Sequence, residues 1–253
     1  MSVRKGAAYA LIGTVCVLSL LPGCTKEPAA PTGRSDAANR GAPAPGPRET
    51  PADPTPVDVI PGVGALTRAH VPDGTGQALV VSGASLDANE AIVVLYERDA
   101  TDRWRPTAGP WPAHNALRGW TDSHMVGDLR SPIGVFRIGD AGGRLPDPGA
   151  RLPYDHDEAY VVQGTGFVGE PLEGSFDYVV AIDYNRVPGT TPLDRSRPLG
   201  ADKGGGVWIH VDHGGPTQAC ISLDREVMPR LLRALDPAKD PVVVMGPRDV
   251  LAR

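Results

Sequence analysis

Short apolar runs separated by glycine, proline and aspartate characterise the chain from about Gly64 to its end. Runs of this kind, rich in β-branched and aromatic residues, predict strands joined by tight turns. Seven strands are predicted, at residues 77–81, 91–96, 134–138, 160–163, 178–184, 206–211 and 241–245. Because no internal repeat or second linker interrupts this region, residues 64–253 are expected to form one domain.

One segment has the period of an amphipathic helix. Its apolar residues recur at i, i+3, i+4 and i+7, namely Met228, Leu231, Leu232 and Leu235, and such a stripe suits packing on a sheet. Asp224 looks like a helix start, but Pro229 would then stand where a backbone N–H is needed. We therefore predict an irregular turn at 224–226 and a regular helix from about Val227.

The N-terminus predicts export. Arg4 and Lys5 precede an apolar run, residues 7–21, that is too short to span a hydrocarbon core of about 30 Å comfortably, as in a signal peptide. The run ends in Leu21-Pro22-Gly23-Cys24, which resembles a bacterial lipobox except for the proline. We expect a signal peptide at 1–23 and lipidation of Cys24, which would anchor the protein to the membrane, facing the cell wall or periplasm. A plain secretory peptide and an uncleaved anchor are the alternatives.

Residues 24–62 differ in composition from the rest. The stretch from 25 to 61 carries nine prolines and almost no large apolar side chains. Such a segment cannot offset the entropy lost on ordering by burying apolar surface. It is therefore predicted to be a disordered tether between the lipid anchor and the domain.

Composition and charge narrow the fold class and the partners. The whole chain has 31 glycines, 27 prolines and only 3 phenylalanines, which favours a mainly β protein over a helical bundle. Its net charge is −5, and no block of lysine and arginine is present that could neutralise a run of phosphates. Nucleic acid is therefore not an expected partner.

The three cysteines are Cys16, Cys24 and Cys220. Once the signal peptide is removed and Cys24 lipidated, Cys220 is left alone in the folded domain, without an internal disulfide partner. A free thiol is a liability in an oxidising compartment, which favours a functional role. A buried cysteine that serves as a small hydrophobic residue is the alternative.

A histidine precedes this cysteine by ten residues. His210 lies at the end of the predicted strand 206–211, and the glycine-rich stretch 211–216 connects it to Cys220. A cysteine of ordinary pKa, about 8.5, is only a few per cent thiolate at neutral pH and needs a base. His210 and Cys220 therefore form a candidate catalytic pair, with His213 as the alternative base or as a pocket residue.

Two motifs resemble the L,D-transpeptidase catalytic domain, also called YkuD-like. The first is His210, Gly214-Gly215, then Thr217-Gln218-Ala219-Cys220-Ile221. The second is the segment 127–136, Gly-Asp-Leu-Arg-Ser-Pro-Ile-Gly-Val-Phe, which is similar to the family's "GD…(S/T)PxGxF" pattern. The two occur in the family's order, and the resemblance covers roughly residues 75–247.

This resemblance implies a β-sandwich-like domain with one helix after the catalytic cysteine. It implies an enzyme of cell-wall biogenesis and cell shape that acts on peptidoglycan stem peptides without a cofactor. Cys220 would attack the carbonyl of the third residue of a tetrapeptide stem, expel D-alanine and form a thioester. A neighbouring stem's amine would then accept the acyl group, whereas water as acceptor would make the protein an L,D-carboxypeptidase. A monomer is expected.

Further residues are candidates for the site. The N–H of Cys220 and those near Thr217, Gln218 and Ala219 are candidates for holding an oxyanion, and the Thr217 hydroxyl could serve the site or the turn. Tyr184 or Asn185 could line the donor cleft, or simply pack at a strand end. A carbonyl within the glycine stretch 204–206 is the expected orienting partner of His210.

The chain departs from the family pattern in three places. Ala219 replaces a glycine, which would strain a backbone with positive φ. The His-to-Cys spacing of ten is shorter than usual, and Ser222 stands where many members have an arginine that contacts a substrate carboxylate. These three differences leave the predicted nucleophile Cys220 and the predicted base His210 in place. They do not allow the family's substrate contacts to be assigned to residues of this chain.

Other readings compete with this one. A sortase-like enzyme would use His156 with Arg225 or Arg230, and a degenerate domain would bind peptidoglycan without catalysis. The remaining histidines are scattered, and only His124 with Asp128 or the run 155–157 has even weak metal-ligand spacing, so no metal is expected. Trp104, Trp111 and Trp120 could stack on glycan but are more typical of packing.

Overall fold

Twelve strands dominate residues 55–253, the part of the chain that the structure, a computed structural model, describes. The strands are β1 (Gln77–Gly83), β2 (Glu90–Arg98), β3 (Trp104–His114), β4 (Trp120–Thr121), β5 (Ser131–Pro132), β6 (Gly134–Arg137), β7 (Ala141–Gly143), β8 (Tyr154–His156), β9 (Val179–Ala181), β10 (Trp208–Val211), β11 (Ile221–Leu223) and β12 (Val242–Pro247). The helices are α1 (Ala65–Arg68), α2 (Val227–Ala234) and α3 (Arg248–Leu251), with 3-10 turns at Ala201–Lys203 and Pro237–Lys239.

Ten of these strands form one mixed sheet in the order β6-β12-β1-β2-β3-β11-β10-β9-β7-β8, and β4 pairs with β5. The pairs β1–β12, β10–β11 and β7–β8 are parallel, and the other pairs of the sheet are antiparallel. With 31% strand and 11% helix, the prediction of a mainly β fold is confirmed.

The hydrophobic core follows from strand alternation. Leu79 and Val81 of β1 join the larger core cluster, whereas Ala78 and Val80 join a smaller one on the opposite face. Met228, Leu231 and Leu232 of α2 are fully buried in the larger cluster. Helix α2 begins at Val227, so the predicted turn at 224–226 and the predicted helix start are confirmed.

Six of the seven predicted strands are confirmed within a few residues. The prediction at 160–163 is wrong, because this run lies in the long loop between β8 and β9. Tyr160 is buried there, 1% exposed, and its hydroxyl donates to Asp155 at 3.2 Å, whereas the next residue, Val161, is 48% exposed. Buried and exposed side chains alternate in this loop, and this alternation produces the same sequence pattern as a strand.

The longest strand, β3, was not predicted, because Pro106, Pro110 and Pro112 interrupt it. It pairs with β2 across two register shifts, near Val93–Leu95 and Leu95–Tyr96. On its other side β11 pairs only with Ala113 and His114. Prolines are tolerated at bulges and along open edges because no partner needs their missing N–H there.

The domain begins earlier than the predicted boundary at Gly64. Val57 forms an isolated bridge with Trp104, and Ile60 and Val63 are buried at 2% and 3% exposure. Residues 57–62, predicted as the end of the tether, therefore belong to the domain. The predicted signal peptide, Cys16, the lipidation site Cys24 and tether residues up to 54 lie outside the described residues. Within residues 55–253, no helix is long and apolar enough to cross a membrane.

Candidate active site

The parallel strands β10 and β11 place the predicted histidine and cysteine so that both side chains line the same cavity, without a hydrogen bond between them. Ile209 pairs with Ile221, and both are completely buried in the larger core. Because side chains alternate along a strand, His210 and its register partner Ser222 belong to the opposite face. Cys220, two residues before Ser222, follows the same alternation.

Cys220 is a free, partly exposed cysteine. Its Sγ accepts a hydrogen bond from the Trp208 N–H at 3.4 Å and donates one to the Gly206 carbonyl at 3.7 Å. Burial of the sulfur raises the pKa of the thiol from 9.0 to about 11, although the Trp208 N–H partly opposes this effect. The resting group at neutral pH is therefore the neutral thiol, which needs a base to become a nucleophile.

His210 is suited to be that base. Its ring is buried, 3% exposed, and its Nδ1 lies 2.9 Å from the Val211 carbonyl, so Nδ1 carries the proton and Nε2 keeps its lone pair. Burial lowers the pKa of His210 from 6.5 to about 4, a direction that the Val211 carbonyl opposes and His213 reinforces. The imidazole is therefore neutral across the physiological pH range.

The carbonyl that orients His210 was predicted within 204–206, and this prediction is wrong. Val211, the next residue in the same strand, supplies it. The Gly206 carbonyl accepts the thiol proton of Cys220 instead. Phe176 packs edge-on against the His210 ring at 5.4 Å and against Trp208 at 5.0 Å, so the imidazole is held from two sides.

Both residues line one cavity of about 380 Å³. Its walls come from four parts of the chain: the segment 124–127, the glycine stretch 204–206, the stretch 210–219 before the cysteine, and the loop between β8 and β9. Of the candidate residues, those in the cavity wall are His210, His213, Thr217, Gln218, Ala219 and Cys220. A single concave site with convergent polar groups is typical of an active site.

The turn before the cysteine is fixed through the Cys220 carbonyl. The Thr217 hydroxyl donates to this carbonyl at 2.6 Å and the Ser131 hydroxyl at 3.4 Å. The Thr217 N–H is already bonded to the Asn115 carbonyl at 2.9 Å, so it is not an oxyanion donor. The N–H groups of Gln218, Ala219 and Cys220 have no acceptor within residues 55–253 and remain available to an occupant of the cavity.

Ala219 does not strain this turn. The non-glycine residues with positive φ are Asp102, Leu129, Asn185 and Asp240 within the described part of the chain, and Ala219 is not among them. An alanine at this position therefore has no conformational penalty from positive φ.

Replacing Thr217, which is 4% exposed, with valine is expected to lower the free energy of unfolding by about 1–3 kcal/mol, because the short hydrogen bond to the Cys220 carbonyl is lost. Urea unfolding followed by tryptophan fluorescence measures this change. Thr107→Val is the control, since its hydroxyl makes only a 3.4 Å bond from an exposed position of β3 and should cost less than about 0.5 kcal/mol. Equal effects of the two changes would contradict the role assigned to Thr217.

Tyr184 and Asn185 do not line the cavity. The Tyr184 hydroxyl donates to the Lys203 carbonyl at 3.0 Å, and the Asn185 amide donates to the Gly204 carbonyl at 2.6 Å. Both side chains therefore fix the segment that leads into the glycine stretch 204–206, which forms one wall of the cavity. Their predicted place in a donor cleft is corrected to a supporting position behind that wall.

Ser222 is also committed to structure. It is completely buried, and its hydroxyl donates to Asp212 Oδ1 at 2.6 Å, which also lies 2.8 Å from His114 Nδ1. This arrangement ties the ends of β3, β10 and β11 together. A substrate carboxylate therefore has no contact available at position 222.

Glu170 and Phe176 are site residues that were not predicted from the sequence. Both lie in the loop between β8 and β9, where Phe176 lines the cavity and Glu170 Oε1 lies 3.0 Å from His213 Nδ1. A single glutamate in a polar loop has no local pattern that would distinguish it. Only the folded path of the loop over β10 brings these residues to the site.

The residues considered for a sortase-like site do not line the cavity. His156 is exposed on β8, where its Nε2 lies 3.1 Å from the Arg144 carbonyl, and it does not line the cavity. Arg225 pairs with Asp177 at 2.6 Å. Trp104 and Trp120 are buried at 4% and 1%, as expected for packing. Among residues 55–253, no group of three His, Cys, Asp or Glu side chains could hold a metal ion.

The pKa of Cys220 predicts slow alkylation at neutral pH. The rate of modification by iodoacetamide is expected to rise about tenfold per pH unit from pH 7 to 10, because only the thiolate reacts. Peptide mapping by mass spectrometry would measure it, with glutathione as a reference whose rate levels off earlier. A rate that is already constant from pH 6 upward would indicate a thiolate–imidazolium pair and contradict the neutral resting state.

The geometry thus gives a thiol, a neutral imidazole and free N–H donors around one cavity. Comparison with known proteins adds no family to this description, since no protein-family model, curated protein or solved structure matches the chain.

Proposed function

We propose that the protein is a cysteine acyltransferase of the L,D-transpeptidase type that acts on peptidoglycan stem peptides. The observation that carries the proposal is that Cys220 and a buried His210, whose Nδ1 is held by the Val211 carbonyl, line the same cavity. The two sequence motifs that resemble this family supply the substrate class. A β-sandwich-like L,D-transpeptidase fold, export and a lipid anchor at Cys24 belong to the same proposal.

In the first step, His210 Nε2 takes the proton of the Cys220 thiol as the sulfur attacks the carbonyl carbon of the third stem residue. A carbon–sulfur bond forms and the carbonyl oxygen becomes an oxyanion. The free N–H groups of Gln218, Ala219 and Cys220 are the available donors for this charge. Removal of one such donor typically costs about 3 kcal/mol of transition-state stabilisation.

In the second step, the tetrahedral adduct collapses to a thioester. The bond to the terminal D-alanine breaks, and its nitrogen takes the proton from His210. The neutral imidazole can then deprotonate the incoming amine of a second stem, which attacks the thioester carbonyl and releases the thiolate. The proton held by His210 returns to the sulfur, and water as acceptor gives hydrolysis by the same route.

The test is incubation of the purified full-length protein with disaccharide tetrapeptide, followed by mass spectrometry. We expect either a cross-linked dimer with loss of D-alanine or release of D-alanine alone, together with a thioester on Cys220. An unchanged substrate, with retained affinity for peptidoglycan in a sedimentation assay, would favour the non-catalytic binding protein. Cys220→Ser is the control for contaminating peptidases.

A further inference from the structure

A second histidine of the cavity is held by a carboxylate. His213 Nδ1 lies 3.0 Å from Glu170 Oε1, and the two side chains are only 6% and 10% exposed. The His213 ring is stacked on the His210 ring, with centroids 5.8 Å apart and planes inclined by 14°. Since Nδ1 is engaged by Glu170 and the residue lines the cavity, Nε2 is the nitrogen left for an occupant.

The surroundings of Glu170 form a narrow slot. A Cβ atom at Gly166 would lie 2.0 Å from Glu170 Oε1, and one at Gly215 would lie 2.3 Å from the same oxygen. The Val168 N–H donates to Glu170 Oε2 at 2.9 Å. Burial of this carboxyl opposes its ionisation, but these backbone donors and His213 outweigh it, so the pKa of Glu170 is lowered. For Nε2 to donate while Nδ1 is bonded to Glu170, both ring nitrogens of His213 must carry a proton, and the Glu170 carboxylate is the adjacent counter-ion.

Among residues 55–253, histidines are the only residues lining this cavity that can carry a positive charge. Within the described residues, no lysine, arginine, aspartate or glutamate lines it, and its titratable groups are His124, His210, His213 and Cys220. His210 must stay neutral to act as a base. His124 lies against Gly204 and the Tyr184 ring, 5.3 Å away between centroids, and not against His210.

We propose that His213, held by Glu170, binds the α-carboxylate of the amino acid that leaves the donor peptide. This inference rests on the proposed acyl transfer. In an α-amino acid the departing nitrogen and the carboxylate carbon are two bonds apart. Two stacked imidazoles can therefore serve the same residue, His210 at its nitrogen and His213 at its carboxylate. Charge-assisted hydrogen bonds of this kind are about twice as strong as neutral ones.

The experiment compares two donors that differ only at the terminus, a tetrapeptide with a free carboxylate and the same peptide with a terminal amide. Release of the last residue is measured for the full-length protein. We expect the wild type to favour the carboxylate in kcat/KM by about 10- to 100-fold, although alaninamide is the better leaving group. His213→Gln should bring this ratio close to one, mainly by slowing the carboxylate donor, and Glu170→Gln should reduce it partly.

His124→Gln is the matched control, since His124 is also a cavity histidine beside a carboxylate, 3.0 Å from Asp128. It should leave the carboxylate-to-amide ratio unchanged. The inference is overturned if His213→Gln slows both donors equally, because His213 would then act as a base or support the structure. It is also overturned if the wild type shows no preference for the carboxylate donor. Circular dichroism identifies a variant that has lost its fold.

Binding separates this inference from the proposed function. In the Cys220→Ala background, calorimetry with the two peptides should show tighter binding of the carboxylate form, and this preference should disappear when His213→Gln is added. If the preference appears while the wild type releases nothing, the carboxylate site stands and acyl transfer fails. If release occurs but binding shows no preference, acyl transfer stands and the role of His213 fails.

Discussion

Replacing Cys220 with serine is expected to lower the rate of D-alanine release at least about 10³-fold, because a hydroxyl is a far weaker nucleophile at this site than a thiol activated by His210. The fold should be retained, since a hydroxyl can still accept from the Trp208 N–H and donate to the Gly206 carbonyl. Release of D-alanine is measured by mass spectrometry, and unfolding by urea. A serine variant with more than a tenth of wild-type activity would refute covalent catalysis at this residue.

The same assay distinguishes the two stacked histidines. His210→Gln is expected to reduce kcat by about 10²- to 10⁴-fold, the range of general-base catalysis. His213→Gln should act mainly on KM of the carboxylate donor. The opposite result, with kcat lost only in the His213 variant, would show that His213 is the base. Thus the assignment of His210 depends on kcat and not on total activity alone.

Replacing Arg186 with methionine is expected to destabilise the fold by about 3–5 kcal/mol, the usual cost of breaking a buried ion pair from one side. Arg186 is 4% exposed and lies between Asp140, at 2.8 Å, and Asp183, which are 10% and 9% exposed. Its second nitrogen donates to the Thr190 carbonyl at 2.7 Å. Without the guanidinium, two desolvated carboxylates would remain close together.

Arg225→Met is the matched control, because Arg225 also contacts a carboxylate, Asp177 at 2.6 Å, but its side chain is 52% exposed. Surface pairs of this kind contribute about 0–1 kcal/mol. Urea unfolding of both variants at pH 7 provides the comparison. Similar free energies for the two would show that the cluster around Arg186 does not hold the segment after β9.

Local patterns were sufficient for the parts of the fold that depend on neighbours in sequence. Six strands could be predicted because their β-branched runs end at glycine, proline or aspartate. The start of α2 at Val227 could be predicted because Pro229 is tolerated only in the first turn of a helix. The candidate pair His210 and Cys220 was also recognisable, since His210 ends a predicted strand and only a short glycine-rich loop separates it from Cys220.

Contacts between distant segments decided the rest. Strand β3 forms despite its prolines because residues 105–112 have a partner strand on one side only, a property of the sheet and not of the segment. Val57, Ile60 and Val63 belong to the domain because they contact residues far along the chain, such as Trp104. No local pattern predicts such contacts.

The sequence by itself therefore determined a mainly β domain with a lone thiol and a nearby histidine, because strand periodicity and spacing are local properties. Only the tertiary structure decided that the Val211 carbonyl orients His210, that Asn185 supports the wall, and that Glu170 holds His213. These contacts depend on how strands and loops pack. Glu170 and His213 are 43 residues apart, and even for the neighbours His210 and Val211 the packing of the imidazole decides which carbonyl it reaches.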